Sequence, residues 1–432
     1  IQYAAQNPYG YYRLEQDIDF TNVTASGGSY ILGRFIGVVD GNGHSATGMK
    51  YPMFGDLQYA QVTDLTISTP SYAGDAQALF AVKTKKVTLG NVKVEGTDMP
   101  LPLVKTKTEG YYEYGDMSVT VDDRKITTVE EFLAIGDSAE SLKKQYVLEA
   151  DLDFSSSEFS DFAVAGTFSG ELAGNGHTIS GLDAVLFEKM DGASVSDLTI
   201  KGTNLANNTQ KGALANDIRN SIVEDIRVKD LTIRNDANQA GGLAGTISNS
   251  EIRRISAENL SIRSNNTIGG IAGQFDGRIL EDCIVTGAIE GTSRHQMGAR
   301  VGGITGWQGG GIIRRVVTKV SITAPDPVGN GGIIGGPQSG SATVESAVSL
   351  STGVNANRIS GWDVLGITSS AYELETSDSQ SSMNEANTDR IFTVTEEQVK
   401  EKAFYTEILG WSEDVWRFDS LAADGIPALK KL

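Results

Sequence analysis

Along much of this chain the apolar residues fall at positions 0, 3 and 5 of a six-residue window, with polar residues between them. Val62-Thr63-Asp64-Leu65-Thr66-Ile67 and Val195-Ser196-Asp197-Leu198-Thr199-Ile200 show it most cleanly. The signature returns at Leu89, Val223, Ile252 and Leu280, and imperfectly at Ile313 and Val344. A strand alternates with period two, so the extra residue between positions 0 and 3 predicts a strand that ends at a bend and resumes on the next face. From Val195 on, successive windows start 28, 29, 28, 33 and 31 residues apart. That period is the mark of a solenoid in which each repeat rests on the last.

A glycine phrase runs in phase with these windows: Gly241-Gly242-Leu243-Ala244-Gly245, Gly269-Gly270-Ile271-Ala272-Gly273, Gly302-Gly303-Ile304-Thr305-Gly306 and Gly331-Gly332-Ile333-Ile334-Gly335. Gly242, Gly270 and Gly303 each precede their window by ten residues. Stacked strands lie ~4.8 Å apart, so Gly242, Gly270, Gly303 and Gly332 are expected to form one ladder, where two inner walls come too close for a Cβ. Connections between parallel strands are nearly always right-handed. The expected fold is all-β: a right-handed parallel β-helix with short capping helices.

Two stretches are copies of one module. Tyr12 to Phe20 matches Tyr146 to Phe154, and Gly41-Asn42-Gly43-His44 matches Gly174-Asn175-Gly176-His177, with a constant offset of 133 from there through Phe54 and Phe187. The expected organisation is a first β-helix module over 1–98, an excursion or hinge over 99–126, and a capping helix with the second module over 127–205. Repeat coils follow over 206–350, a mobile Ser-, Asn- and acid-rich loop over 351–390, and a C-terminal cap over 391–432. Thr128-Val129-Glu130-Glu131 has the spacing of a capping box, so a helix should plug the second module. Thr395-Glu396-Glu397-Gln398 should begin another, running to about Tyr405, in a cap that covers the open end of the solenoid. Ile1 begins in mid-pattern without methionine, and a fragment of something longer is expected.

Charge narrows the partners. The 36 basic and 55 acidic residues leave a net charge of −19, which repels phosphate backbones and anionic lipid, so neither nucleic acid nor direct membrane insertion is expected. Between Lys211 and Lys319 the balance reverses, with 14 basic against 11 acidic residues. Alternating Arg and Glu ladders on a solvated surface account for that. No stretch approaches the ~20 apolar residues of a membrane span, and no basic-then-apolar signal opens the chain.

Candidate chemistry is sparse. Cys283 is the only cysteine, so no intrachain disulfide can form, and its place in the apolar pattern marks a buried, inert thiol. The three histidines are His44, His177 and His295, with no His-Glu-x-x-His, so no metal or catalytic site is expected here. His44 and His177 follow Gly-Asn-Gly and should be hydrogen-bonded at a bend. Asp122-Asp123 and Asn387-Thr388-Asp389 resemble pieces of a polygalacturonase signature, but in reversed order and off the repeats. The candidate partner-binding residues are Arg294, His295 and Arg300, in the insertion that stretches one period to 33, and Trp307 on the same coil. Lengthened solenoid loops carry function, and Trp and Arg favour interface hot spots.

The Gly-Gly-hydrophobic-x-Gly phrase resembles the GLUG repeat, and Phe168 to Leu182, which contains the second Gly-Asn-Gly-His, looks like its usual upstream companion. Together they are similar to the region preceding the catalytic domain in the streptococcal immunoglobulin A protease family of zinc metallopeptidases, large cell-wall-anchored surface proteins of Gram-positive bacteria. The family's metal ligands match nothing in this chain. The resemblance implies a noncatalytic, extracellular β-helix scaffold that supports a downstream zinc-bearing protease domain of the same chain. It also implies a part in positioning a host glycoprotein such as immunoglobulin A. A polysaccharide-degrading β-helix enzyme and a purely adhesive surface stalk remain the alternatives.

Overall fold

The computed structural model describes residues 4, 6–25, 27–68, 76, 78, 80–85, 87–90, 92–97, 104–107, 113–114, 119–122, 124–293, 299–325, 329–337, 343–353, 359–361, 371–374 and 391–432. The chain divides into two compact units, Ile1–Lys125 and Ile126–Leu432. Both are built from short parallel strands.

In the first unit each strand pairs with the one that follows it by one repeat. Tyr11–Arg13, Val38–Asp40, Gln61–Thr63, Thr88–Gly90 and Glu113–Tyr114 form one sheet. Ile18–Asp19, Ser45–Thr47, Thr66–Ser68, Lys93–Thr97 and Val119–Asp122 form a second, and Ile31–Phe35, Phe54–Gln58, Ala81–Lys85 and Val104–Lys107 a third. Within residues 99–126, expected as an excursion, the described stretches Val104–Lys107, Glu113–Tyr114 and Val119–Asp122 thus each join one of these sheets. The apolar positions meet in one core, in which Phe35, Phe54 and Phe80 follow one another with ring centroids 5.4 and 5.3 Å apart.

The second unit opens on the helix read from the capping box, α1 (Val129–Leu133). The Thr128 side chain accepts from the Glu131 amide, and the Glu131 carboxylate accepts from the Thr128 amide. Phe132 projects from α1 into the core, 5.6 Å from the Phe154 ring and 6.2 Å from that of Phe187. A large parallel sheet runs on from there through Ser194–Lys201, Ile222–Lys229, Glu251–Ser264, Ile279–Gly291 and Ile312–Thr323. It continues through Ala347–Ser349, Ala371–Leu374 and Ile391–Val394, so pairing persists beyond Leu350. Most of the expected mobile loop, residues 354–358, 362–370 and 375–390, lies outside the described residues. A second sheet stacks Val185–Asp191, Ala215–Arg219, Ala244–Ser248, Ala272–Asp276 and Thr305–Gln308, and a third stacks Gln239–Gly241, Thr267–Gly269, Arg300–Gly302 and Asn330–Gly331.

The one-residue slip in the apolar window has a single backbone cause. Position 2 is left-handed at Asp64 (φ 50°), Asp197 (55°), Asp225 (57°), Arg254 (53°), Asp282 (57°), Arg315 (50°) and Ser346 (46°). One such residue re-aims the strand, so that positions 0, 3 and 5 all face the core. In the central repeats Val223, Ile226, Val228, Ile252, Ile255, Ala257, Leu280, Cys283 and Val285 are completely buried.

The second glycines of the phrase lie on one another. The Gly242 amide donates to the Gly270 carbonyl at 3.1 Å, and the Gly270 amide to the Gly303 carbonyl at 3.2 Å. A Cβ on Gly242, Gly270 or Gly303 would collide with the carbonyl oxygen of the next glycine in the series, Gly270, Gly303 or Gly332. It would also press on Leu260, Val285 or Thr318 of the large sheet. The stacked backbone is therefore an obstacle at each of the three positions, and at Gly270 the facing Val285 is equally close.

The C-terminal segment departs from expectation twice. In place of one helix from Thr395 to about Tyr405 there are two short helical pieces, Gln398–Lys400 and Phe404–Ile408. The segment also lies along the outward face of the large sheet. Val399, Phe404, Tyr405, Leu409, Trp411, Trp416, Leu421 and Leu429 form a core with Ile284, Val317, Val348 and Leu350. Three of those sheet residues, Ile284, Val317 and Val348, stand at the outward-pointing position 4 of their windows. An apolar residue facing out of a strand needs a cover, and this segment supplies it.

Candidate interaction site

Of the four residues singled out for partner binding, two come together. Arg300 opens the strand Arg300–Gly302 and Trp307 lies in Thr305–Gln308. The Arg300 guanidinium sits 4.4 Å from the Trp307 ring centroid, a stacked cation–π pair in which both side chains are part-buried. Arg294 and His295 lie outside the described residues, as do 296–298. Gly336 pairs with Trp307 in register.

A second constellation occupies the left-handed bends. Positions 1 and 2 of four successive windows read Glu224-Asp225, Arg253-Arg254, Glu281-Asp282 and Arg314-Arg315, so sign alternates from repeat to repeat. Parallel register puts Glu224 beside Arg253, Arg253 beside Glu281, and Glu281 beside Arg314. Arg254 grips Asp225 with two bonds of 2.6 and 3.0 Å and reaches Glu224 at 2.7 Å. Arg315 does the same to Asp282, at 2.7 and 2.8 Å, and reaches Glu281 at 2.6 Å. Arg253 and Arg314 also donate to Glu281, each at 2.8 Å.

Sequence reading anticipated alternating charge but placed it on a solvated surface. Asp225, Glu281 and Asp282 are instead buried. The C-terminal segment covers the two aspartates: the Trp416 indole N–H donates to Asp282 at 3.0 Å and Lys431 donates to Asp225 at 2.8 Å, while Glu281 is enclosed by Arg253, Arg314 and Arg315. Burial raises the Asp225 carboxyl, but hydrogen bonds and attraction from Arg254 and Lys431 outweigh it, and its pKa ends below the ordinary value. Glu281 behaves likewise, with burial overcome by Arg253, Arg314 and Arg315. The hydrogen bonds to Asp282 and Asp225 hold the Arg315 and Arg254 guanidiniums well above their usual range. The signal available in the sequence was the pairing of like charges at positions 1 and 2, inverted every repeat.

The remaining titratable candidates are engaged in structure. His44 Nδ1 lies 3.3 Å from Asp17 and His177 Nδ1 3.2 Å from Asp151, the same contact in both module copies. Each aspartate accepts first from a backbone amide, of Ser45 or Thr178, which lowers its pKa. Cys283 is fully buried, its thiol donates to the Glu281 carbonyl at 3.2 Å, and burial pushes its pKa up. Asp123 and Asn387–Asp389 fall outside the described residues. Among the described residues, no three His, Cys, Asp or Glu side chains gather as a metal-holding group, and no helix is long and apolar enough to cross a membrane.

Residues 1–96 and 135–230 match the family model of the M26 IgA1-specific metallo-endopeptidase N-terminal region. Each matched stretch contains one copy of the module that carries Gly-Asn-Gly-His, so the resemblance read from the sequence holds against a family model. A crystal structure from Bacteroides ovatus, provisionally named an immunoglobulin A1 protease, aligns at 16% identity and a TM-score of 0.49, covering 71% of this chain and 92% of that one. A search of curated proteins returned no match.

Proposed function

We propose that this chain is a noncatalytic scaffold of a secreted, surface-attached zinc metallo-endopeptidase of the immunoglobulin A1 protease type. In this reading the parallel sheets wind into a right-handed β-helix, the hand that parallel crossovers nearly always take. Zinc and the proteolytic groups belong to a further domain, which the scaffold supports. The scaffold also helps to position the host glycoprotein. The carrying observation is the match of both module copies to the N-terminal region of that endopeptidase family. The regular stacking and deep burial of the repeats suit a rigid support, and the Arg300–Trp307 pair suits a contact surface.

The test compares three proteins: this chain alone, the full-length protein, and the full-length protein lacking this chain. Each is given immunoglobulin A1 and a short peptide spanning its cleavage site. The scaffold reading expects no cleavage by the chain alone. It expects removal of the chain to slow cleavage of the whole immunoglobulin more than cleavage of the peptide. Proteolysis by the chain alone, or equal rates with and without it, would overturn the reading.

A further inference from the structure

A cleft of about 730 Å3 lies between the outward face of the large sheet and the C-terminal segment. Volumes of this order suit a small ligand. Arg227, Lys229 and Lys319 enter it from the sheet and Arg417 from the segment, against the carboxylates of Glu258 and Asp424. In a chain of net charge −19 the cleft therefore carries the opposite sign from the bulk of the protein. Lys319 is held by the Asp424 carbonyl at 2.7 Å, and Arg227 is paired with Glu258 at 3.1 Å. The ammonium of Lys229 has no partner among the described residues, and Arg417 has only Asp419 at 3.9 Å.

The rest of the lining restricts the class of anion. Ser256, Asn259, Thr286 and Ser420 add hydroxyl and amide groups, while Ile284 and Ile426 supply a small apolar surface. The strands beneath, Ile222–Lys229, Glu251–Ser264, Ile279–Gly291 and Ile312–Thr323, are paired on both sides, so no free edge can receive a peptide backbone. Recognition must come from side chains. A ligand that carries negative charge, many hydroxyls and small apolar faces answers every group present.

We infer that this cleft binds a carboxylated oligosaccharide, with Lys229 and Arg417 contacting the carboxylate and Glu258 and Asp424 accepting from sugar hydroxyls. The inference is independent of the proposed scaffold role and involves no downstream domain.

Calorimetric titration of the chain tests it with trigalacturonate and sialyllactose as two sources of the carboxylate. The comparison probes are the carboxyl-reduced trisaccharide, a sulfated trisaccharide and a glutamate oligomer. The expected result is binding of at least one carboxylated sugar, weakened by salt, with affinity reduced on the order of tenfold or more in the Lys229→Glu, Arg417→Glu double variant. Arg417 is exposed and Lys229 part-buried with no partner to lose among the described residues, so the melting temperature should change little; Lys229→Gln provides a milder second variant. Trigalacturonate without sialyllactose would identify uronates, and the reverse sialates, and either supports the inference. Failure of both, equal binding of the reduced sugar, preference for the sulfated sugar or the peptide, or full affinity in both variants would each overturn it.

Discussion

The indole nitrogen of Trp416 donates a 3.0 Å hydrogen bond to the carboxylate of Asp282, a residue 134 positions earlier, and both side chains are buried. Asp282 is also the left-handed bend of its repeat and the acceptor of two bonds from Arg315. One carboxylate thus ties together the backbone turn, the alternating charge ladder and the C-terminal segment. The segment is fastened at a second point by Lys431 on Asp225.

Replacing Trp416 by Phe removes that donor and trims a buried ring that packs 4.3 Å from Trp411. A hydrogen bond to a charged group contributes about 1.5–3 kcal/mol and the smaller ring leaves a void, so a loss of about 2–4 kcal/mol is expected even though Arg315 still holds Asp282. Chemical denaturation measures the loss, and hydrogen exchange should show faster exchange at Trp416–Arg417 and Ala428–Leu429. Unaltered exchange in those strands would mean that the indole does not fasten the segment.

Arg254→Ala leaves Asp225 buried with Lys431 as its remaining cation and frees Glu224. Breaking a buried pair from one side costs about 3–5 kcal/mol when the charge is left alone, so with Lys431 still in place a loss of about 2–3 kcal/mol is expected. The comparison is Arg263→Ala, whose ion pair with Glu290 is half exposed at both ends and should change stability by about 0.5 kcal/mol or less. Similar denaturation midpoints for the two variants would contradict the buried character of the ladder.

Acid should loosen the C-terminal segment. The folded carboxyls of Asp225 and Glu281 are more acidic than unfolded ones. The unfolded chain therefore binds more protons near its own carboxyl pKa values, about 4, and stability is present above that pH and lost as pH falls through the lower folded values. Trp fluorescence followed from pH 7 to pH 2 should stay flat until about pH 4 and then change as Trp411 and Trp416 are exposed. A transition centred above pH 6 would point to other groups.

Gly270→Ala places a methyl group against the Gly303 carbonyl and the Val285 side chain. Overpacking against a backbone that cannot yield costs about 1–3 kcal/mol. At Gly336 the nearest atoms are side-chain carbons of Arg300 and Trp307 at 3.4 Å, so Gly336→Ala should be nearly neutral. Thermal melts of the two variants should differ by several degrees. Coincident melts would show that the ladder tolerates a Cβ.

Periodicity carried much of the architecture in advance. The 0, 3, 5 window located the strands, their spacing and their buried residues, because burial on one face imposes a pattern that survives in the sequence. The capping box at Thr128 and Glu131 was equally legible, since both partners of its hydrogen bonds are three residues apart. The Arg300–Trp307 contact could be suspected from composition, but its stacking depends on two strands of different sheets.

What the sequence determined by itself is the repeat: its length, the inward positions, the slip at position 2 and the glycine kept in phase with it. These follow from local backbone geometry and from contacts between neighbouring repeats, which recur at a constant separation. Only the tertiary structure decided where the last forty or so residues lie and what they do to the charge ladder. Trp416 and Lys431 reach Asp282 and Asp225 across separations of 134 and 206 residues, outside any period. Alternating charges read the same whether water or an indole covers them. Their burial was set by the outward apolar residues Ile284, Val317 and Val348, which drew an irregular segment against the face of the sheet.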